Sequence, residues 1–349
     1  MLNPNNSEHR SSEIRCLIWD LDETIWQGRL LEGDRPRLRP GVVEVLRNLD
    51  SRGILLSIAS TNEHDHAWAY LKRFGISDLF LAPEINLGSK HQSVPRIADA
   101  LGFSLSNVGF IDDDPLEREL VSRFSGGLVH VFDAADYLTL PENPLLSPEI
   151  ISRDGCRRRE LVGAELRRQD EKINYGTWEE FLNDCRIKFS VRRADQEDLK
   201  RVLELALRTN RMNASGLRYT PDEFSSMIAD RAREVVVGAL EDRFGDYGTV
   251  CAAILQWRGS VARAEGLWIS CRVAKRGVAP AFFSALGELA HEKGAISLDV
   301  DYLPTEANRL AAFYLGTYGF ELGESERGKC FRLNLPLGIR PYAPWMTTL

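Results

Sequence analysis

The sequence predicts an α/β protein in two parts: a doubly wound parallel sheet, followed by a second α/β domain with a largely antiparallel sheet. Up to about residue 140, short apolar runs alternate with helical patterns, which is typical of parallel βαβ units. Beyond residue 187, successive strand-like runs separated by turn-rich segments indicate an antiparallel meander. The chain has 349 residues, more than one hydrophobic core usually serves, so two domains are expected.

The elements of the first part carry recognisable end signals. Segment 39–52 begins near Pro40, spaces apolar residues along one helical face and is followed by Gly53, which suits a C-terminal cap. The helical segments 64–74 and 92–101 are also each followed by glycine. Strands are predicted over 16–19, 54–60 and 108–111, because each is an apolar run that leads into polar residues.

The second part reads as strand, two helices, antiparallel strands, helix, strand, helix and strand. A helix is expected to start after Thr220, where Glu223 completes a capping box. The other helices are expected over 195–208, 275–293 and 308–314. The predicted strands cover 187–191, 234–240, 250–257, 267–273 and 331–335.

The predicted domain limits follow these patterns and a proline-rich run at 141–148. The expected division is a flexible N-terminus (1–13), a first domain (14–140), a linker with a charged helix (141–186), a second domain (187–336) and a C-terminal tail (337–349). The charged helix, expected over 153–172, is either a solvated helix of mixed charge or a docking face for an acidic partner. Its arginines are Arg157, Arg158, Arg159, Arg167 and Arg168.

Composition excludes several classes of protein. Apolar residues make up 44% and charged residues 27%, as in a globular domain, and no apolar run reaches the length of a membrane helix. The six cysteines have no paired spacing, which argues against a zinc site or a disulfide framework and for a cytoplasmic protein. The net charge of −7 gives no support for nucleic-acid binding.

The most informative motif follows the first strand, where Asp20, Asp22 and Thr24 occupy alternate positions. Two carboxylates this close repel each other unless a cation or a proton separates them. A hard divalent metal with a phosphate ligand suits such oxygen donors, so Mg²⁺ is expected as cofactor. An acid pair on a solvated loop is the alternative reading, and Thr24 is expected mainly to fix the loop.

Four further polar residues accompany the acid pair. Ser60, Asp112 and Asp113 come at the ends of later strands, and Lys90 lies before the next helix. In a doubly wound sheet, the working residues lie beyond the C-terminal ends of the strands, so these side chains are expected to meet Asp20. In isolation, Ser60 would be a satisfied strand-end hydroxyl and Lys90 a surface lysine.

This ordered set resembles the motifs of the haloacid dehalogenase (HAD) superfamily of phosphoryl-transfer enzymes. The resemblance implies that Asp20 attacks phosphorus and that Asp22 is the general acid and base. Ser60 and Lys90 would bind the phosphoryl group. The metal would be held by Asp20, the backbone carbonyl of Asp22, Asp112 and, less directly, Asp113.

The spacing between these motifs leaves no room for a cap. HAD enzymes that close over small substrates carry a sizeable insertion after the first or the second motif, and this chain has few residues at either place. We therefore expect an open phosphatase site, covered by the second domain or by a macromolecular partner.

The second part resembles GNAT acyltransferases. The segment 275–279, Lys-Arg-Gly-Val-Ala, is similar to the loop that grips the pyrophosphate of coenzyme A at a helix N-terminus, so Arg276 and Gly277 are candidate phosphate-binding residues. Ala274 stands where those enzymes usually have Gln or Arg, which casts doubt on ordinary coenzyme A binding. Such a loop still suits the single phosphate of a phosphopantetheine arm.

Together the two halves resemble the FkbH family over residues 14–336. The marks are 18–26 (IWDLDETIW), 38–42 (LRPGV), 57–60 (SIAS), 110–113 (FIDD), 208–210 (RTN), 242–248 (DRFGDYG) and 270–273 (SCRV). Two positions depart from the family pattern: Glu23 replaces the usual Asn, and Thr61 a frequent Lys.

The FkbH resemblance implies a glyceryltransferase of polyketide-type biosynthesis. Such enzymes take a phosphoglyceryl unit from 1,3-bisphosphoglycerate, remove its phosphate and load glyceryl on the phosphopantetheine thiol of an acyl carrier protein. Cys271 is the candidate acyl-carrying nucleophile, with a buried strand cysteine as the alternative. Asn210, Asn213 and Arg272 are candidate polar residues lining the acyl site.

Three rival functions remain open at this point. The alternatives are a free-standing HAD phosphatase, an acetyltransferase with an inactive HAD domain, and a scaffold that binds a carrier protein without turnover. The intact acid cluster and Ala274 argue against the second.

Overall fold

The computed structural model describes residues 13–148, 150–216, 219–230, 232–270, 272–326 and 328–349. The chain divides into two units, Met1–Gly163 and Ala164–Leu349. The two sheets that organise them confirm the predicted fold class, a parallel α/β sheet followed by a largely antiparallel one. Among the described residues, no helix combines the length and apolar character needed to cross a membrane.

The first unit is built on five parallel strands in the order β5-β4-β1-β6-β7. Strand β1 reads Cys-Leu-Ile-Trp and is buried throughout, because helices cover both faces of such a sheet. Its elements are β1 (Cys16–Trp19), β2 (Trp26–Gln27), β3 (Arg37–Leu38), α1 (Val42–Ser51), β4 (Leu55–Thr61), α2 (His64–Arg73), β5 (Glu84–Asn86), α3 (Lys90–Leu101), β6 (Val108–Asp112), α4 (Pro115–Phe124), β7 (His130–Asp133) and α5 (Arg153–Cys156).

Two helix starts in this unit differ from the prediction. Helix α1 begins at Val42, because Gly41 adopts a left-handed conformation (φ 77°) and Pro40 therefore lies outside the helix. Helix α3 begins at Lys90, two positions earlier than expected, with Ser89 in extended conformation before it. The second difference matters for the site, because it places Lys90 in the first turn of a helix.

The charged segment predicted as one helix over 153–172 is two helices. The short α5 ends at Cys156, and α6 (Arg158–Lys172) begins after the break at Arg157. Helix α6 has little amphipathic character, in agreement with its mixed charge, and α7 (Trp178–Asp184) follows with a capping box between Thr177 and Glu180.

The second unit contains an eight-stranded sheet in the order β13-β14-β12-β11-β10-β9-β8-β15. Among the described strands of this sheet, the pairs β11–β12 and β8–β15 are parallel and the other neighbouring pairs are antiparallel. The remaining elements are β8 (Ile187–Arg193), α8 (Asp198–Arg208), α9 (Pro221–Ile228), β9 (Arg233–Asp242), β10 (Gly245–Arg258), β11 (Val261–Ile269), α10 (Val278–Glu292), β12 (Ser297–Asp301), α11 (Arg309–Tyr318), β13 (Glu321–Ser325), β14 (Gly328–Asn334) and β15 (Met346–Thr348).

Strand β11 is displaced from its predicted position. It covers Val261–Ile269 and not 267–273, so the strand ends just before Ser270. Its pairing with β12 ends at Ala264, and beyond that point the backbone of Ala214 and Met212 bonds to Leu267 and Ile269. The apolar character of 267–269 belongs to the end of the strand and not to its beginning.

The segment predicted as a C-terminal tail joins the sheet. Met346, Thr347 and Thr348 form β15, which pairs in parallel with the first strand of the unit, β8. The N–H of Leu349 also donates to the carbonyl of Phe189 at 3.0 Å. The first and the last strand of the unit therefore lie side by side at one sheet edge.

Candidate active site

The parallel pairing of β1 with β6 brings two carboxylates together. Trp19 lies opposite Ile111, and the N–H of Asp20 donates to the carbonyl of Ile111 at 3.0 Å. Asp20 and Asp112 therefore leave neighbouring strands at the same edge, and both are buried. This is the convergence expected at the C-terminal ends of a doubly wound sheet.

Lys90 bridges the two buried carboxylates. Its Nζ lies 3.0 Å from Oδ1 of Asp20 and 2.7 Å from Oδ2 of Asp112, and the lysine is itself 8% exposed. Burial would lower the lysine's pKa, but the two carboxylates raise it on balance, so the ammonium stays charged. A buried ammonium between two carboxylates is the main electrostatic feature of this sheet edge.

Burial dominates the protonation of the acids. It raises the pKa of Asp20 to about 7, although Lys90 opposes the shift, and the nearby Asp112 adds to it. The pKa of Asp112 is raised for the same first reason, with Lys90 again opposing. A further cation at this edge would favour the charged form of both carboxylates.

Asp113 completes a set of three carboxylates. One oxygen each from Asp20, Asp112 and Asp113 lies within 4.8 Å of the others, the spacing of a common metal ligand sphere. Thr24 holds the backbone of Asp113 in place. The threonine is buried, and its hydroxyl accepts from the Asp113 N–H at 3.2 Å. Arg118 donates to the carbonyls of Asp112 and Asp113, so the loop is held from both sides.

Asp22 lies outside this trio and is held by hydrogen-bond donors. Its Oδ1 accepts from the indole N–H of Trp26 at 2.8 Å. Its Oδ2 accepts from the Asn62 side-chain amide at 3.1 Å and from the Leu30 N–H at 3.3 Å. A carboxylate has about four lone-pair positions, so one remains for a proton.

Asn62 is a site residue that the sequence analysis missed. It is fully buried, and its Nδ2 donates both to Asp22 and, at 3.2 Å, to the hydroxyl of Ser60. Its Oδ1 has no hydrogen-bond partner within the described ranges, although it is shielded from solvent. Asn62 thus positions Ser60. The sequence signal that could have identified Asn62 is its position as a polar residue just beyond the end of a strand.

Glu23, which departs from the family pattern, has the left-handed backbone conformation (φ 52°) that Asn tolerates better than most residues. Its Oε1 accepts from the Gly28 N–H at 2.7 Å, which ties the loop together. The preference for Asn at this position therefore has a backbone reason. Thr61, the other departure, ends β4 and is half-buried.

The two places where a cap would be inserted contain only short elements. Between Thr24 and α1, the chain forms the small hairpin of β2 and β3. Between β4 and Lys90 it forms α2 and β5 of the sheet itself. Within the described residues of the first unit, no cap domain stands over the acids, in line with the expectation of an open site.

The predicted phosphate-binding residue Arg276 has a different role. It is completely buried in the second unit, where it pairs with Asp242 (3.1 Å) and with Glu165 and lies 4.1 Å over the ring of Tyr247. We correct that assignment, because a completely buried guanidinium that is paired with two carboxylates is not presented to a ligand.

Gly277 occupies the position expected for a glycine, is partly exposed and lies beside Trp345. It caps α10 with a left-handed φ of 86°, and a Cβ there would lie 3.4 Å from Trp345 Nε1. That indole N–H donates to the carbonyl of Arg276 at 3.1 Å. Trp345 thus packs against the loop that resembles a pyrophosphate-binding loop.

The remaining predicted site residues of the second unit differ in their surroundings. Asn213 is buried, and its Oδ1 accepts from Ser215 and from the Gly216 N–H, which makes it a turn-forming residue. Asn210 and Arg272 are exposed. Cys271 lies outside the described residues, so its role as acyl carrier stays a prediction.

Comparison with known proteins bears on the first unit. Residues 27–116, which include Ser60, Lys90, Asp112 and Asp113, match the family model of haloacid dehalogenase-like hydrolases. The first unit contains a HAD-like hydrolase domain. Human magnesium-dependent phosphatase 1 is 28% identical over 147 residues, which cover 37% of this chain and 84% of that protein.

Solved structures resemble each of the two units. The phosphatase-domain part of BF1531 from Bacteroides fragilis, solved with Mg, is 27% identical over 36% of this chain and 38% of that chain, with a TM-score of 0.32. The ribosomal-protein-S18-alanine N-acetyltransferase of Escherichia coli is 13% identical over 45% of this chain and 97% of that chain, also with a TM-score of 0.32.

Proposed function

We propose that the chain is a Mg²⁺-dependent phosphatase and glyceryltransferase, which dephosphorylates a phosphoglyceryl unit and loads glyceryl on an acyl carrier protein. The observation that carries the phosphatase step is the buried Lys90 ammonium between Asp20 and Asp112. It brings Asp20, Lys90 and Asp112 together at one sheet edge, which supports the roles of nucleophile, fixed cation and metal ligand for these residues. The family match of residues 27–116 supports the same reaction class.

The phosphatase step assigns one task to each residue. A carboxylate oxygen of Asp20 attacks phosphorus, and the ester oxygen leaves with a proton from Asp22, which gives an aspartyl phosphate. Asp22 then takes a proton from water, which attacks the same phosphorus and releases inorganic phosphate and Asp20. Ser60, positioned by Asn62, donates to a phosphoryl oxygen, and Lys90 offsets the added charge.

The donor set fits Mg²⁺. The three carboxylates of Asp20, Asp112 and Asp113 offer only oxygen atoms within a small space, which is what a hard divalent cation prefers. The human relative is named as a magnesium-dependent phosphatase, and the Bacteroides relative was solved with Mg. A bound Mg²⁺ would act here as a Lewis acid that neutralises phosphoryl charge.

The acyl-transfer step rests on the resemblance to the FkbH family. The thiolate of Cys271 would attack the acyl-phosphate carbon of 1,3-bisphosphoglycerate, forming a thioester and releasing inorganic phosphate. The carrier's phosphopantetheine thiol would then take the acyl group, and the remaining phosphate ester would be hydrolysed at Asp20. Ala274, at the position where coenzyme A-binding enzymes usually have Gln or Arg, supports a carrier arm over coenzyme A as the thiol donor.

The decisive experiment is intact-mass analysis of a phosphopantetheinylated carrier protein after incubation with the chain, Mg²⁺ and 1,3-bisphosphoglycerate. We expect a glyceryl adduct from the parent chain and at most a phosphoglyceryl adduct from Asp20→Asn. Asp65→Asn, at a fully exposed acid of α2, is the matched control and should behave like the parent. An unmodified carrier in every reaction would refute the transfer step.

A free-standing HAD phosphatase is the second candidate. It is favoured by the comparison with the human phosphatase, which aligns over 84% of its own length with 37% of this chain. Phosphate release with an unmodified carrier, abolished in Asp20→Asn, would establish this alternative.

A further inference from the structure

The hairpin of β2 and β3 contacts both carboxylate oxygens of Asp22. The indole N–H of Trp26, in β2, donates to Oδ1 at 2.8 Å. The backbone N–H of Leu30, in the segment between the two strands, donates to Oδ2 at 3.3 Å. The segment that stands where a cap would be inserted is therefore bonded directly to the predicted general acid.

Trp26 is itself fixed by packing. It is completely buried and lies opposite Leu38 of β3. Its ring packs against two aromatic side chains of α2, with ring centroids 6.5 Å from that of Tyr70 and 6.2 Å from that of Phe74. Aromatic rings at such separations attract each other. Because this packing holds the indole, its N–H points in one direction and can orient the carboxylate of Asp22.

The loop that leads into the hairpin is anchored as well. Oε1 of Glu23 accepts from the Gly28 N–H at 2.7 Å, and the carbonyl of Glu23 accepts from Arg39 Nη1 at 3.1 Å. The same Nη1 donates to the carbonyl of Ala134 at 2.9 Å. The hairpin is thereby tied to the rest of the first unit at its start and at its end.

The hydrogen-bond donors leave one position on Asp22 free. Oδ2 accepts from Leu30 and, at 3.1 Å, from Asn62, whereas among the described residues Oδ1 accepts from Trp26 alone. A carboxylate oxygen has about two lone pairs, so Oδ1 keeps one. The indole N–H occupies the other lone pair, and its direction therefore sets where a proton on Oδ1 lies.

We propose that Trp26 is a positioning residue, whose indole N–H orients Oδ1 of Asp22 toward the leaving oxygen of an alkyl phosphate ester. The inference rests on the proposed function for the reaction. There, the bond from phosphorus to the ester oxygen breaks as the bond to Asp20 forms, and the ester oxygen takes the proton of Asp22. An alkoxide leaves poorly without that proton, whereas an acyl or aryl phosphate releases a stable anion. The ester phosphate of a phosphoglyceryl group, and not an acyl phosphate, is thus the group whose removal needs Trp26.

NMR spectroscopy of the isotope-labelled full chain tests the contact without turnover. The indole N–H resonance of Trp26 is assigned by its loss in Trp26→Phe. We expect Asp22→Ala, which removes the acceptor, to shift this resonance upfield and to leave that of Trp68, which stacks on His64, in place. An unshifted Trp26 resonance in Asp22→Ala would overturn the inference, whatever the activity of the chain.

Kinetic measurements with Mg²⁺ test the role. The probes are 3-phosphoglycerate, an alkyl ester, and p-nitrophenyl phosphate, an aryl ester. Their kcat/KM values include no step after the leaving group departs, so hydrolysis of the aspartyl phosphate does not contribute. We expect Trp26→Phe to lower kcat/KM about tenfold or more for the alkyl ester and less than about threefold for the aryl ester.

Two further variants complete the test. Replacement of Trp26 by benzothienylalanine keeps the ring shape but removes the N–H, so it should give the same difference between the esters even if the phenylalanine variant unfolds. Trp68→Phe removes an indole elsewhere in the first unit and should leave both kcat/KM values unchanged.

The outcomes separate this inference from the proposed function. Equal losses for the two esters, or no loss for either, would overturn the role of Trp26 and leave the phosphatase step intact. A parent chain that hydrolyses neither ester would refute the phosphatase step, and the role of Trp26 would fall with it.

Discussion

Replacing Arg276 by methionine separates a structural role from a phosphate-binding one. The substitution keeps the aliphatic volume but removes the cation from Asp242, whose side chain is completely buried, and from above the ring of Tyr247. Glu165 keeps Arg168 as a partner. Removing one partner of a buried ion pair typically costs about 3–5 kcal/mol, because the other charge is left uncompensated.

That cost translates into a large thermal shift. For a unit of this size, 1 kcal/mol lowers the melting temperature by about 2–4 °C, so Arg276→Met should lower that of the second unit by about 6–20 °C. Burial already raises the pKa of Asp242, with Arg276 opposing, so without the arginine this carboxyl will protonate more readily. A carboxyl with a raised folded-state pKa loses stability as pH rises, and the deficit should be larger at pH 8 than at pH 5.

Scanning calorimetry with separately fitted transitions for the two units is the assay. Lys275→Met, at the exposed neighbour of Arg276, is the control and should stay within about 0.5 kcal/mol of the parent. Adding Asp242→Asn to Arg276→Met should recover part of the loss, because it removes the orphaned charge. A melting temperature for Arg276→Met equal to that of the Lys275 control would refute the structural role.

Three further predictions concern single sites. Lys90→Met should lower the free energy of unfolding in EDTA by about 3–5 kcal/mol, since it leaves two buried acids unpaired; an unchanged urea midpoint would contradict this. Gly238→Ala should cost about 1–3 kcal/mol, because its Cβ would clash with the Cys251 sulfur, whereas Gly323→Ala, with nothing within 4 Å, should be neutral in the same urea titration. Asp198→Asn should cost about 1.5 kcal/mol at pH 7. Burial raises the pKa of Asp198, but hydrogen bonds, led by the one from Arg192, lower it overall. The stability difference between Asp198→Asn and the parent should therefore vanish as pH falls below about 4. A difference that persisted at pH 2 would show that the charge of Asp198 is not its cause.

The convergence of the acids was predictable from the sequence because the rule behind it is topological. Asp20 and Asp112 follow adjacent parallel strands, and the ends of such strands must share an edge whatever the side chains around them. Lys90 was predictable only from its place in the ordered set of motifs, and its position in the first turn of a helix was not predicted. Asn62 has no spacing signal, because its function depends on where its amide points.

The second unit was predicted less well, since its errors depend on distant partners. Arg276 occupies a sequence position typical of phosphate binding, and only the approach of Glu165 and Asp242 in the fold reassigns it. The shift of β11 has a related origin. An apolar run fixes that a strand is present, but the hydrogen-bond partners in β10 and β12 decide where it begins and ends.

The pairing of β15 with β8 has a consequence for folding during protein synthesis. The strand that covers the outer edge of β8 is synthesised after every other strand of the second unit. Until residues 346–348 emerge, the backbone groups of Phe189 and its neighbours remain open to other nascent chains, and exposed strand edges invite such pairing. By covering the edge of β8, the three-residue strand β15 removes a site for aggregation late in synthesis. Chains whose synthesis stops before residue 346 should therefore depend most on chaperones.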